Sequence, residues 1–330
     1  MGITVDLVGS ILAPFKWLVS AIMVGFHDGL SAIGMPAASG WTWTLSIIGL
    51  VLVIRAALIP VFVKQVNAQR RMRLLQPDLK KLQEQYKGRT DPPSRQAMAQ
   101  EQMALYRKHG TNPFSACLPM LIQLPFFFAL FQVLSGISSA KTNGQGIGAM
   151  SAEQVKQFDE STIFGAPLSA SLLHGSTAGG EVAVWILSIV MILAMTASQF
   201  ITQKQIMAKN MSEEALASPF MRQQKMMLYI LPVVFGVGGI NFPIGVLIYW
   251  TTTNLWTMGQ QFFVIRRMPT PGSPAAKALA ERRAAKGLPA LPLLGGKKVD
   301  AQAAEASAAA AAVEAKSQRV QPQRKNRKRK

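Results

Sequence analysis

Apolar residues along this chain gather into four long runs, roughly 41–63, 113–137, 182–203 and 226–265, separated by polar and mostly basic segments. A bilayer's hydrocarbon core is about 30 Å thick, and a helix of about twenty apolar residues crosses it. The last run carries no charged residue between Met226 and Ile265 and is about twice as long as one crossing needs. Asn241-Phe242-Pro243 lies inside it and reads as a tight turn, giving spans at 226–240 and 244–265. The pattern predicts an all-α polytopic membrane protein with five transmembrane helices, at 41–63, 111–137, 182–203, 226–240 and 244–265. The fourth is short, covering only about 23 Å at about 1.5 Å per residue, which implies a locally thinned bilayer or shielding by neighbours.

Two further segments show helical spacing without spanning length. Leu7, Ile11, Leu12, Phe15, Leu18, Val19 and Ile22 repeat at helical intervals, interrupted by Lys16, His27 and Asp28. Residues 1–40 therefore read as an outer interfacial amphipathic helix and linker. A sixth span is the rival reading, and it conflicts with the charge alternation below unless the amino terminus sits inside. No basic stretch precedes the apolar residues, so a cleaved signal peptide fits poorly. Residues 64–110 read as two helices joined around Asp91-Pro92-Pro93-Ser94, with Pro77 marking a kink or boundary. Met72, Leu75, Leu79, Leu82 and Tyr86 line one helix; Met98, Met103, Leu105 and Tyr106 line the other. The expected product is a cytoplasmic helical hairpin whose stripes either pack together or offer a Met-rich binding surface.

Charge sets the orientation. Segment 64–110 carries eleven Lys and Arg against four acids, 204–225 four against two, and the tail 266–330 sixteen against four. The loop 138–181 has only Lys141 and Lys156, against Glu153, Asp159, Glu160 and Glu181. By the positive-inside rule this loop is extracellular, the amino terminus outside and the carboxyl terminus cytoplasmic. The tail, rich in Ala, Gly, Pro and Lys, reads as disordered. Its final cluster of Arg324, Lys325, Arg327, Lys328, Arg329 and Lys330 would attract ribosomal RNA or anionic lipid. Cys117 is the one cysteine, and His27, His109 and His174 lie in unrelated segments, so no metal site or cofactor is expected. No phosphate-cradling glycine loop or nucleophile triad is present, which argues against an enzyme.

The outstanding polar position is Arg55, a lone charge within an apolar run. A guanidinium near the bilayer centre costs from about 3 to well above 10 kcal/mol unless it has water, a partner or a role. No acidic residue lies in any other span to pair with it. Arg55 precedes Lys64 by nine residues, about 13 Å along a helix, farther than simple snorkelling covers. Gln123, Thr196, Thr252 and Asn254 reach comparable depths on other helices, with Gln199 nearer the cytoplasmic mouth. Each alone is ordinary interhelical glue. With an unpaired arginine they read as the lining of one polar recess in the inner leaflet. Trp41, Trp43 and Trp185 stand where outer-interface anchors belong; Trp250 and Trp256 lie deeper, where packing is the default role and a groove-bordering apolar surface is the alternative for Trp250. Pro60, Pro119, Pro125, Pro232 and Pro243 kink or end the spans.

Several ordered motifs resemble the YidC-type membrane protein insertases, most nearly those of actinobacteria. They are Ile54-Arg55 followed by Pro60, Met72-Arg73-Leu74-Leu75-Gln76-Pro77, Met103-Ala104-Leu105-Tyr106, and Asn112-Pro113 leading to Leu118-Pro119-Met120-Leu121-Ile122-Gln123-Leu124-Pro125. Tyr249-Trp250, Asn254-Leu255-Trp256-Thr257 and Gln260-Gln261 continue the match, which covers about residues 10–267. The resemblance implies a hydrophilic groove open to the cytoplasm and to lipid, with Arg55 as its arginine and Gln123 and Trp250 as lining or client contacts. It implies an insertase and chaperone of the bacterial cytoplasmic membrane, acting alone or with the Sec translocon. Nascent membrane protein clients, the ribosome and the lipid bilayer are its implied partners. A small-solute transporter or channel is the alternative, disfavoured by the lack of an internal repeat and of an acidic coupling residue.

Overall fold

The computed structural model describes residues 2–110, 118–173, 180–211, 226, 230, 234, 236–270 and 272–289. The chain divides into two compact units, Met1–Leu279 and Ala280–Lys330. Its elements are α1 (Gly2–Ala32), α2 (Gly40–Ala57), α3 (Ile59–Leu74), α4 (Gln76–Gln85), α5 (Pro92–Lys108), α6 (Leu118–Thr142) and α7 (Ala152–Glu160). A two-stranded hairpin follows, β1 (Thr162–Ile163) and β2 (Ala166–Pro167), then α8 (Glu181–Asn210), α9 (Ile244–Arg267) and α10 (Pro274–Ala284). Cys117, His174, most of 226–240 and the basic cluster at 324–330 lie outside the described residues.

Among the described residues, four helical stretches are long and apolar enough to cross a membrane: Gly9–Ala32, Gly40–Ala57, Leu121–Thr142 and Glu181–Asn210. Helix α9 is 24 residues long, but Thr251, Thr252, Thr253, Asn254, Gln260 and Gln261 dilute its apolar character. The predicted interfacial helix is one continuous helix of 31 residues with Pro14 inside. It packs along α2 and α6, with Val19 and Met23 wholly buried and Phe15 edge-on to Phe126 at 5.4 Å.

The predicted 41–63 helix breaks at Leu58, and the chain restarts as α3 with Pro60 as its second residue. A proline there lacks an amide that the first helical turn has no intrahelical acceptor for, so the restart leaves no orphaned donor. Pro77 acts alike at the start of α4, making it a boundary rather than a kink. Asp91 caps α5 by accepting the Ser94 N–H at 2.9 Å, and hydrogen bonding from the Ser94 side chain, then from its N–H, holds the Asp91 carboxyl below the usual carboxylate range. Helices α4 and α5 pack on each other through Leu75, Leu79 and Tyr106, with Met72 and Leu105 against them. The two apolar stripes thus largely satisfy one another, although Met103 stays exposed.

Within the loop 138–181, residues 143–173 fold into a cap. Helix α7 begins with a full capping box, in which Ser151 and Gln154 exchange side-chain and backbone hydrogen bonds. Its apolar face carries Val155 and Phe158 into the main core, where Phe158 meets Trp43 at 5.2 Å. Asp159 accepts from Lys141 Nζ at 2.9 Å and from Ser138 Oγ at 3.1 Å. Burial is the largest single influence on its carboxyl and disfavours the charge, but these hydrogen bonds and the lysine's charge together hold the group below its usual range. After the hairpin, the carbonyls of Leu168 and Ala170 accept the N–H groups of Gly245 and Ile244, both at 2.9 Å. These bonds satisfy donors that the first turn of α9 leaves without intrahelical partners. The hairpin is the one sheet among the described residues, beside an isolated antiparallel bridge between Ile147 and Met150.

Gly40 is the joint between cap and bundle. A Cβ there would run into the carbonyl of Thr162, a backbone atom with no rotamer to escape through. Gly40→Ala is therefore expected to lower stability by about 1–3 kcal/mol and to loosen the cap. Thermal unfolding and limited proteolysis around residue 162 measure this; an unchanged Tm with unchanged cleavage would refute the close approach.

Trp43 corrects the sequence reading. It is fully buried instead of anchoring at the interface, stacked on the His27 ring at a centroid distance of 3.9 Å. Two residues along a helix turn a side chain through about 200°, so Trp41 and Trp43 face opposite ways. His27 is itself buried, with Nδ1 3.0 Å from an Asp28 carboxylate oxygen and Nε2 2.9 Å from the Ala37 carbonyl.

Candidate functional site

Helix α9 packs against α8, α2 and α6, so its side chains meet those of three neighbours. The meeting point is Tyr249, which is almost wholly buried. Its phenol oxygen accepts a hydrogen bond of 2.8 Å from Gln123 Nε2 on α6. The half-buried Arg55 guanidinium on α2 lies within electrostatic range of the same phenol. Among the described residues, the ion pairs are His27–Asp28, Lys141–Asp159 and Lys141–Glu160, all at the cap end, and none involves Arg55.

Toward the cap, this centre is closed by rings. Phe127 meets Trp250 at 5.3 Å, and Phe242 stacks on Trp250 at 5.5 Å and meets Phe131 at 5.4 Å. Away from the cap, the surroundings turn polar. Asn67 Oδ1, Gln199 Oε1, Thr251 Oγ1, Thr253 Oγ1, Asn254 Nδ2 and Trp256 Nε1 are buried without a hydrogen-bond partner in the protein. Buried polar groups are nearly always satisfied, so these six atoms on α3, α8 and α9 call for water or a polar occupant, as do Ser31 Oγ, Trp43 Nε1, Thr44 Oγ1 and Ser188 Oγ nearer the cap. A small cavity among α3 and the far ends of α8 and α9 has a mixed lining, polar at Gln65, Gln69 and Gln261 and apolar at Phe62, Ile206 and Val264. Asn210 Oδ1 accepts the Thr270 N–H at 2.7 Å and ties the end of α8 to the turn after α9.

The expected site residues fare differently. Gln123 bonds to Tyr249, Arg55 lies within electrostatic range of the same phenol, and Trp250 stands in an aromatic group with Phe127 and Phe242. Gln199 and Asn254 hold unpartnered polar atoms on the side away from the cap. The Thr252 hydroxyl instead donates to the Ile248 carbonyl at 2.8 Å, so it is committed to its own helix. Thr196 sits against another helical segment: a Cβ on Gly236 would come to 3.3 Å from its Oγ1. Sequence reasoning missed Tyr249, Thr253 and Asn67. Tyr249 was readable in principle as a phenol in an apolar span next to Trp250, but its tie to Gln123 joins residues 126 apart.

Four helices long and apolar enough to cross a bilayer, packed around a half-buried guanidinium, mark a membrane-integrated protein. The 60Kd inner membrane protein family model matches residues 35–271, and the chain belongs to that family, the YidC/Oxa1 family. A Streptomyces avermitilis protein named membrane protein insertase YidC is 45% identical over 282 residues, covering 84% of this chain. The match spans 63% of that relative's length. A protein of the same name from Tropheryma whipplei strain Twist is 44% identical over 284 residues, covering 84% of this chain and 90% of its own. A crystal structure of an active YidC insertase with its first transmembrane domain resolved aligns at 21% identity and a TM-score of 0.41, over 77% of this chain and 46% of that one.

Proposed function

We propose that this protein inserts nascent membrane proteins into the cell membrane, receiving a client's polar tail in the recess beside Arg55. The observation that supports this reading is a half-buried guanidinium without an ion-pair partner among the described residues, within electrostatic range of the Tyr249 phenol, in a bundle whose α3, α8 and α9 bury polar atoms without protein partners. Charge interactions in such a setting are stronger than in water, so an acidic tail gains most where the bilayer opposes it most. The client's apolar helix then leaves sideways into lipid, driven by its own burial at about 25 cal/mol per Å². No step needs an energy source beyond that burial. The basic segments 64–110, 204–225 and 266–330 face the cytoplasm in this topology, and the amino terminus lies outside. The α4–α5 hairpin meets the client first, and the cluster at 324–330 holds a ribosome or anionic lipid nearby. Cooperation with the Sec translocon belongs to the same proposal.

Photocrosslinking from positions 55, 123 and 250, during translation of a short membrane protein with an acidic tail, tests this. Crosslinks from 55 and 123 to the tail are expected, with 250 reaching the client's apolar helix. Silence at all three positions, with solute uptake by vesicles holding the pure protein, would favour a transporter or channel.

A further inference from the structure

The β hairpin of the cap carries a residue that the fold does not explain. Strands β1 and β2 pair Thr162 with Pro167 and Ile163 with Ala166, leaving a loop of Phe164 and Gly165. Both loop residues have positive φ, 49° and 80°. Two-residue hairpin loops of this kind favour Asn-Gly or Gly-Gly, because other side chains at the first position crowd their own backbone. Phe164 is the only non-glycine residue at positive φ among the described residues. Its ring gains little within the protein in return, being 72% exposed.

Its neighbours give the ring a setting. Phe164 stands edge-on to Trp41 at 5.4 Å, and Trp41 is 48% exposed. A Cβ on Gly165 would lie 3.7 Å from the Ala183 Cβ, so the loop sits against the first turn of α8. Val182 there is 73% exposed and Trp185 57% exposed. From these residues the exposed apolar surface continues down both helices. On α2 it runs through Leu45 and Leu52, on α8 through Ile186, Ile189, Val190 and Leu193, the latter at helical spacing on one face. In a membrane-integrated protein those stripes face hydrocarbon. Trp41, Phe164 and Trp185 lie at the upper end of both stripes, where aromatic rings favour the boundary between headgroups and acyl chains.

We infer that the hairpin tip is a membrane anchor: Phe164 inserts into the lipid interface between α2 and α8 and fastens the cap to the bilayer surface. The partner is the lipid itself, since the patch is apolar and continuous with the lipid-facing helices. A stacked second copy would leave those stripes ending in a protein contact.

The test uses full-length protein with Cys117→Ser and a single nitroxide-labelled cysteine, reconstituted into liposomes of phosphatidylglycerol and phosphatidylethanolamine. Labels at 164, 185 and 145 are compared for collision with oxygen, which concentrates in lipid, and with a polar nickel complex, which stays in water. Position 164 is expected to resemble 185, with nickel access several-fold below that at the exposed Gln145. Nickel access at 164 equal to that at 145 would overturn the anchor, as would protection from both reagents, which would mean protein covers the tip. Phe164→Asn supplies an arm in which folding is not at risk, because asparagine suits the turn. With a label at Thr162, this variant is expected to raise nickel access in liposomes and leave it unchanged in detergent. No rise in liposomes would also overturn the proposal. None of these readouts depends on insertase activity, so failure of the anchor and failure of the proposed function are separable.

Discussion

Arg55→Ala is expected to slow insertion of clients with acidic tails roughly thirty-fold or more while the protein still accumulates in the membrane. A carboxylate about 4 Å from a guanidinium gains about 4 kcal/mol at an effective dielectric constant of about 20. Losing only half of that, about 2 kcal/mol, corresponds to about a thirty-fold change in rate. Clients with neutral tails are expected to change little, because the apolar helix draws its driving force from lipid. Arg55→Lys keeps the charge but loses the planar fork, so partial retention is expected. Insertion rates in proteoliposomes across matched acidic and neutral tails check this. Equal rates for variant and parent on every acidic client would remove the arginine from the mechanism.

Tyr249→Phe is expected to destabilise the protein by about 1–3 kcal/mol and to weaken client crosslinks at position 123. The substitution keeps the ring in its packing and deletes only the phenol oxygen that accepts from Gln123. The Gln123 carboxamide then stays buried with a donor unmet, which is the costly side of breaking a hydrogen bond. Adding Gln123→Leu removes the orphan, so the double variant should recover part of the lost stability. Thermal unfolding of both single variants and the double gives the coupling directly. Strict additivity would mean that the two side chains do not depend on one another. Tyr249 thus acts as a positioning residue: it holds Gln123 and lies beside Arg55, joining α2, α6 and α9 at one place.

The sequence made the long apolar helices at Gly40–Ala57, Leu121–Thr142 and Glu181–Asn210 and the α4–α5 hairpin legible because each rests on local signals. Hydropathy over twenty residues locates a crossing whatever it packs against, and Asp91-Pro92-Pro93 announces a helix start on its own. Arg55 was legible for the same reason, since a charge in an apolar run is an anomaly without any neighbour known. The tryptophans were not. Trp41 and Trp43 look equivalent at the head of an apolar run, yet one is half-exposed and the other lies under His27 and Phe158. Thr252 and Thr253 were likewise indistinguishable until one hydroxyl was seen bonded to its own helix and the other buried without a partner.

The cap marks the boundary most sharply. Its sequence is glycine-rich and polar in amphipathic patches, and Val155, Phe158 and Leu168 gain meaning only once buried against Trp43 and the head of α9. The chain by itself determined that this is a helical membrane protein with a stranded positive charge, because the bilayer constrains each segment separately. Only the tertiary structure decided that Gln123 and Arg55 share Tyr249, and that a folded cap closes one end of the bundle. Those outcomes depend on which faces of distant helices meet, and helix periodicity alone leaves that choice open.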